Sequence, residues 1–225
     1  MDAGQPAVER LPLGEEEWLT QVWNGTAADG YPVRLREVLP HGYPRYLRIF
    51  HPFLPWGAAD GPDPAGAPRT SWQELARAAG VPFSRQLVSE DLDPVLPMRD
   101  GTHPFELWEG ELHPALRKAL FAHLTARSPE PVFFYFGLGT LWEGPLLYRA
   151  ACQAVETVKR VAAADIDHPR LKGPEAVWPS DKSWFVYTNF DCASTYLGCD
   201  ETLAALVMDD SVIEALVADL DDRLE

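Results

Sequence analysis

Cysteine is scarce in this chain. Three cysteines in 225 residues, an odd number, imply no disulfide framework. Cys192 and Cys199 stand too far apart for a CxxC redox or zinc pair, and a reducing cytoplasm is the simplest home for such a chain. Basic residues are also few: 19 Lys and Arg against 34 Asp and Glu, a net charge of −15. A field of that sign repels phosphate backbones, so nucleic acid is not an expected partner. The opening "MDAGQPAVERLPLGEEEW" has neither the basic nor the apolar region of a signal peptide. No run approaches the roughly eighteen apolar residues that span a bilayer, so no membrane partner is expected. HExxH, H-x-H and CxxC are all missing, and the sequence predicts neither a metal nor a cofactor.

What is present is globular. Hydrophobic residues make up 46% of the chain and aromatics 11%, enough to exclude a disordered composition. At this length folding buries roughly 70% of the surface of the unfolded chain, so a full core forms without staples. Residues 1–14 read as a flexible leader. Residues 15–225 read as a single α+β domain: a small mixed or antiparallel sheet packed against several helices, with a Pro/Gly-rich surface loop at 55–69. That loop, "PWGAADGPDPAGAPR", holds four prolines and three glycines, and neither helix nor ladder persists through such a run.

Periodicity supplies the elements. "GEEEWLTQVWNG" predicts a short helix ended by Gly25. In "PRYLRIFHPF", Tyr46, Arg48 and Phe50 face one way and Leu47, Ile49 and His51 the other, which is strand periodicity. "TSWQELARAAG" predicts a helix with Thr70 or Ser71 as cap, Glu74 completing a capping box and Gly80 as stop. In "GELHPALRKALFAHLTARS", Leu112, Leu116, Ala119, Leu120, His123 and Leu124 share one helical face, with Arg117, Lys118 and Arg127 elsewhere. "PVFFYFGLG" predicts a central strand and "PLLYRAACQAVETVKRVAAAD" one long helix. "SWFVYTNF" predicts a second strand, and "TYLGC" a short strand or turn. "DETLAALVMD", capped by Asp200, and "SVIEALVADL", with a Ser211/Glu214 capping box, predict C-terminal helices.

Candidate chemistry concentrates in "SWFVYTNFDCASTYLGCDE". Asp191 stands where a carboxylate closes a turn after a strand, with Ser194 and Thr195 able to share the bonding and Gly198 permitting positive φ. The catalytic alternative takes Ser194 or Cys192 as nucleophile beside Asp191, with a histidine brought near in space, but no GxSxG elbow surrounds Ser194. His51 precedes a proline, and His123 falls on an apolar helix face, where a packed core histidine is the structural reading and a general base the functional one. "FGLGT" lacks the third glycine of a dinucleotide fingerprint and the GK[ST] of a P-loop. Because strand ends collect ligand sites, Trp142 and Glu143 after it are binding candidates, as is Tyr196.

The segments "YLRIFHPF", "GELHPALRKALFAHLTARSPEPVFFYFGLG" and "WPSDKSWFVYTNFDCASTYLGC" carry a resemblance. The chain resembles an uncharacterised actinobacterial protein family of unknown function, with a WP-D-x-x-W strand ending in D-x-x-S-T-x-x-G, over most of residues 45–216. The resemblance implies a bacterial, cytoplasmic protein and carries no activity with it. The resemblance is more specific in its last third than elsewhere, and the chain departs from it around 140–172, where the predicted long helix replaces a more variable, loop-like stretch. The functional expectation is a non-enzymatic protein-binding module, immunity-like or regulatory, whose acidic surface meets a basic protein partner. The alternative is a hydrolase or small-ligand-binding protein with a site near Asp191 and Ser194. The sequence leaves the oligomeric state open.

Overall fold

The structure, a computed structural model, describes residues 7–23, 34–59, 61, 66–96, 104–137, 144–169 and 171–224, without the side chains of 20–22. Its centre is an eight-stranded antiparallel sheet. In spatial order the strands are β1 (Glu9–Leu11), β6 (Leu146–Ala150), β5 (Val132–Phe136), β7 (Ala176–Pro179), β8 (Phe185–Tyr187), β9 (Ser194–Cys199), β2 (Arg45–Phe50) and β10 (Ala215–Ala218). A separate two-stranded antiparallel pair joins β3 (Phe53–Pro55) to β4 (Phe105–Leu107). The helices are α1 (Glu17–Trp23), α2 (Trp72–Ala79), α3 (Pro114–Arg127), α4 (Val155–Asp165) and α5 (Glu201–Met208).

The small sheet expected from the sequence is corrected to a large, wholly antiparallel one. Four segments outside the predicted strands account for the difference, one of them β7, which pairs with β5 and β8. Glu9–Leu11, inside the expected leader, pairs with β6 through Glu9 opposite Arg149. The first half of the expected long helix is β6 followed by a short 3-10 turn, Cys152–Ala154, and only Val155–Asp165 is α-helical. In β6, Leu146, Tyr148 and Ala150 face one core and Leu147 the other, an alternation that pairing with β5 and β1 turns into a strand. The expected second C-terminal helix is instead β10, paired with β2 from Ala215 opposite Ile49 to Ala218 opposite Tyr46. Its Ala, Leu and Glu favour a helix locally, but β2 offers a partner and apolar cover lies on both faces, so tertiary context overrides propensity.

Both faces of the sheet are covered, which is why its central strands read as unbroken apolar runs. On one face Leu47, Ile49, Phe134, Val177, Val186 and Leu197 pack under α3, α4 and α5. On the other, Phe133, Trp178, Phe185, Tyr187 and Tyr196 meet Leu19 of α1 and the 35–39 turn. Farther along that face, Phe50 meets Trp72 and Leu75 of α2. Ser71 caps α2 with Glu74 as its reciprocal partner, and Gly80 ends it at φ 73°. Asp200 Oδ1 accepts from the Leu203 N–H to start α5. Arg117, expected off the apolar face, is buried with it. Its guanidinium donates to Glu111 Oε2 at 3.1 Å, which also accepts from Lys159 Nζ at 2.6 Å, and it pairs with Glu156. This charge cluster ties the entry to α3 onto α4. Of the Pro/Gly-rich loop at 55–69, residues 60 and 62–65 lie outside the described residues.

Candidate functional site

The turn between β8 and β9 is closed by Asn189, not by Asp191. Asn189 Oδ1 accepts from the Asp191 N–H at 2.9 Å while its Nδ2 donates to Tyr187 Oη at 3.3 Å. An amide supplies both an acceptor and a donor from a buried position, which a carboxylate does not. Asp191 itself is exposed. Gly110 holds this turn from outside. Its N–H donates to the Cys192 carbonyl at 3.0 Å, at φ 78°, and a Cβ there would overlap the Phe190 carbonyl. Cys192 is buried beside it.

Ser194 and Thr195 do not serve the turn. Both are fully buried in β9, facing opposite sides of the sheet. Ser194 Oγ accepts from Arg48 Nε at 2.8 Å. Arg48, buried in β2, also donates to the carbonyls of Arg85 and Leu87, each at 2.9 Å, and its guanidinium lies over the Phe50 ring at 4.4 Å. This pins the 85–87 segment to the sheet. A charged residue at an inward strand position within "YLRIF" was the signal for it in the sequence.

Thr195 belongs to a second network, with His51. His51 Nδ1 lies 2.9 Å from the Trp108 carbonyl, which only accepts, so Nδ1 carries the proton. Burial drives the His51 pKa down to about 3, against the smaller upward pull of the Trp108 bond, and the positive Arg48 adds a small push the same way as burial. The ring is therefore neutral. Its Nε2 accepts from Thr195 Oγ1 at 2.9 Å, and Thr195 in turn accepts from Thr188 Oγ1 at 2.6 Å. A hydroxyl on an imidazole is the arrangement of a nucleophile and its base. Here the hydroxyl, the ring and their partners are enclosed between the sheet and Trp108, so the network fixes the fold at this point. Ser194 and Asp191 are not joined to it.

The other sequence candidates lie apart. His123 is half-buried on α3, its Nε2 2.8 Å from Asp210 Oδ2, a link between α3 and the turn after α5. Tyr196 is buried among Tyr46, Tyr187 and Ala218. Trp142 and Glu143 lie outside the described residues.

Sequence reasoning missed the groove at the N-terminal end of α2. It encloses about 510 Å³, between Arg69–Glu74 on one side and Asp210–Glu214 on the other, with Phe50 and Leu116 at its base. Glu214, expected to cap its own helix, crosses over to cap α2. Its two carboxylate oxygens accept from the N–H groups of Trp72 and Gln73, each at 2.8 Å. A second acid, Asp210, is fixed by the Val212 N–H at 2.8 Å and by His123. The third, Glu74, is fixed by the Ser71 N–H at 3.0 Å. Burial raises the Glu214 pKa, the two N–H bonds oppose that shift, and the nearby Glu74 charge adds to it. Three oriented carboxylates thus face one polar groove, one of them disfavoured in its charged form by burial and by its neighbour. Compared with protein-family models, curated proteins and solved structures, the chain matches none of them.

Proposed function

We propose that this chain is a protein-binding module, immunity-like or regulatory, that receives a basic segment of a partner protein on its acidic surface. The observation that carries the reading is the groove between α2 and Asp210–Glu214, with Glu74, Asp210 and Glu214 held in place by hydrogen bonds within the protein. Acids already ordered in the free protein lose little freedom on binding, and preorganisation of that kind raises affinity. A cationic side chain entering the groove would relieve the burden on the Glu214 carboxylate. A predominantly polar lining, including Arg69, Thr70, Ser71, Gln73 and Ser211, favours a charged peptide over an apolar small molecule. The net charge of −15 extends the same preference over the whole surface and would speed encounter with a basic partner. A bacterial, cytoplasmic setting, from the family resemblance and the cysteine usage, is part of the proposal.

Titration calorimetry with an alternating Lys/Val octapeptide and its Glu/Val counterpart tests this. The Lys/Val peptide should bind, more weakly as salt rises, and Glu74→Gln should reduce its affinity. The Glu/Val peptide should not bind. Absence of binding by the Lys/Val peptide at low salt would overturn the reading.

A further inference from the structure

The eight-stranded sheet has two edges, and they are built differently. On β1 the edge carries Glu9 and Arg10, with Glu9 paired to Arg149 at 2.7 Å and Arg10 to Asp165 at 3.3 Å. Charges of this kind keep other strands away. At the other edge β10 reads Ala215-Leu216-Val217-Ala218, with neither a charge nor a proline. Its register shows which backbone groups are free. The Phe50 N–H donates to the Glu214 carbonyl at 2.9 Å, so residues 214, 216 and 218 bond inward to β2 and the alternate residues point away. The N–H and C=O groups of Ala215 and Val217 therefore face outward, and among the described residues no strand pairs with them.

The surroundings of this edge are apolar and acidic together. Leu206 and Met208 on α5, which packs beside β10, are 52% and 43% exposed. Val212 and Val217 are 39% and 43% exposed. Acids stand at both ends of the strand, Asp209, Asp210 and Glu214 before it and Asp219 and Asp221 after it. The acidic groove opens at Glu214, the residue immediately before the strand begins.

We infer that the free edge of β10 is a docking site for an extended segment of a basic partner protein, which adds to the sheet as a ninth strand. The inference rests on the reading of the chain as a binder of basic partners and says where and how the partner engages. Main-chain bonds to Ala215 and Val217 hold the segment. Its apolar side chains cover Val217 and the end of α5, and its basic side chains meet the flanking acids and the groove. Charge selects this occupant over a second copy of the chain, because self-pairing would bring together two molecules of net charge −15.

The test uses the intact protein and the Lys/Val octapeptide. Val217→Pro removes one outward N–H without changing any charge, at an edge position where proline is tolerated; Val217→Thr keeps the N–H. The proposal expects Val217→Thr, which loses only part of the apolar contact, to stay within a few-fold of wild type and Val217→Pro to bind at least tenfold more weakly than Val217→Thr. A second arm needs no variant: a Lys/Val peptide N-methylated at alternate residues, in each of the two phases, keeps its charge but cannot bond along the edge in one phase. That phase should bind at least tenfold more weakly. If Val217→Pro and both methylated peptides bind like the controls while binding stays salt-sensitive, edge addition is overturned and the acidic-surface reading stands. If the unmodified peptide does not bind wild type at all, both fall. A concentration-dependent dimer that Val217→Pro abolishes would give the edge to a second copy and overturn the proposal.

Discussion

At His51 the cost of burying a titratable group is offset by giving each nitrogen one partner of the right kind, a carbonyl at Nδ1 and a hydroxyl at Nε2. The arrangement holds only for the neutral ring, and it ties folding to pH. The folded pKa of about 3 lies well below the ordinary histidine value of about 6.5. The unfolded chain therefore takes up a proton first, and stability falls as pH drops from about 6.5 toward 3. Carboxylates act in both directions. Glu74, Asp200 and Asp210 are held below their usual values by hydrogen bonds and lose stability on acidification, whereas Glu109 and Glu214, raised by burial, gain it. From about pH 6.5 downward the raised Glu109 and Glu214 oppose the histidine loss, so the histidine is read from the difference between wild type and a His51 variant. Melting curves over this range should show wild type losing stability relative to His51→Gln, whose amide has no proton to take up; parallel slopes would remove His51 as the cause.

Helices were legible where their signals are local. The Ser71/Glu74 box and Gly80 of α2, the Asp200 cap of α5 and the apolar stripe of α3 are each written within one or two turns of sequence. Leu116, Leu120 and Leu124 lie inside the core as their spacing predicts, and Leu120→Ala should cost about 2–5 kcal/mol in chemical denaturation. A loss under about 0.5 kcal/mol would place that face outside the core. Strands depend on distant partners and were legible only in part. The alternation in β2 was readable because each of its faces meets a different core. In β6 and β10 good helix formers hid the alternation, and only the neighbours β5 and β2 reveal it. For the same reason the turn residue was misplaced. Asp191 and Asn189 are both plausible turn formers in sequence, and only the position of Tyr187 Oη selects Asn189.

Over the whole molecule, the candidate site is assembled from segments far apart in the chain: residues 69–74, Leu116 of α3, and residues 210–214 leading into β10. Composition announced the acidic surface but not its focus, since nothing in the local sequence says that Glu214 will cap a helix at Trp72, 142 residues earlier in the chain. The proposed docking depends on one edge of one sheet. Amide hydrogen exchange, resolved by residue with and without the Lys/Val peptide, measures it most directly. In the free protein Leu216 and Ala218 should exchange slowly and Ala215 and Val217 fast, and the peptide should slow Ala215 and Val217 selectively. Slow exchange at Ala215 and Val217 in the free protein, or peptide protection confined to another part of the chain, would contradict it.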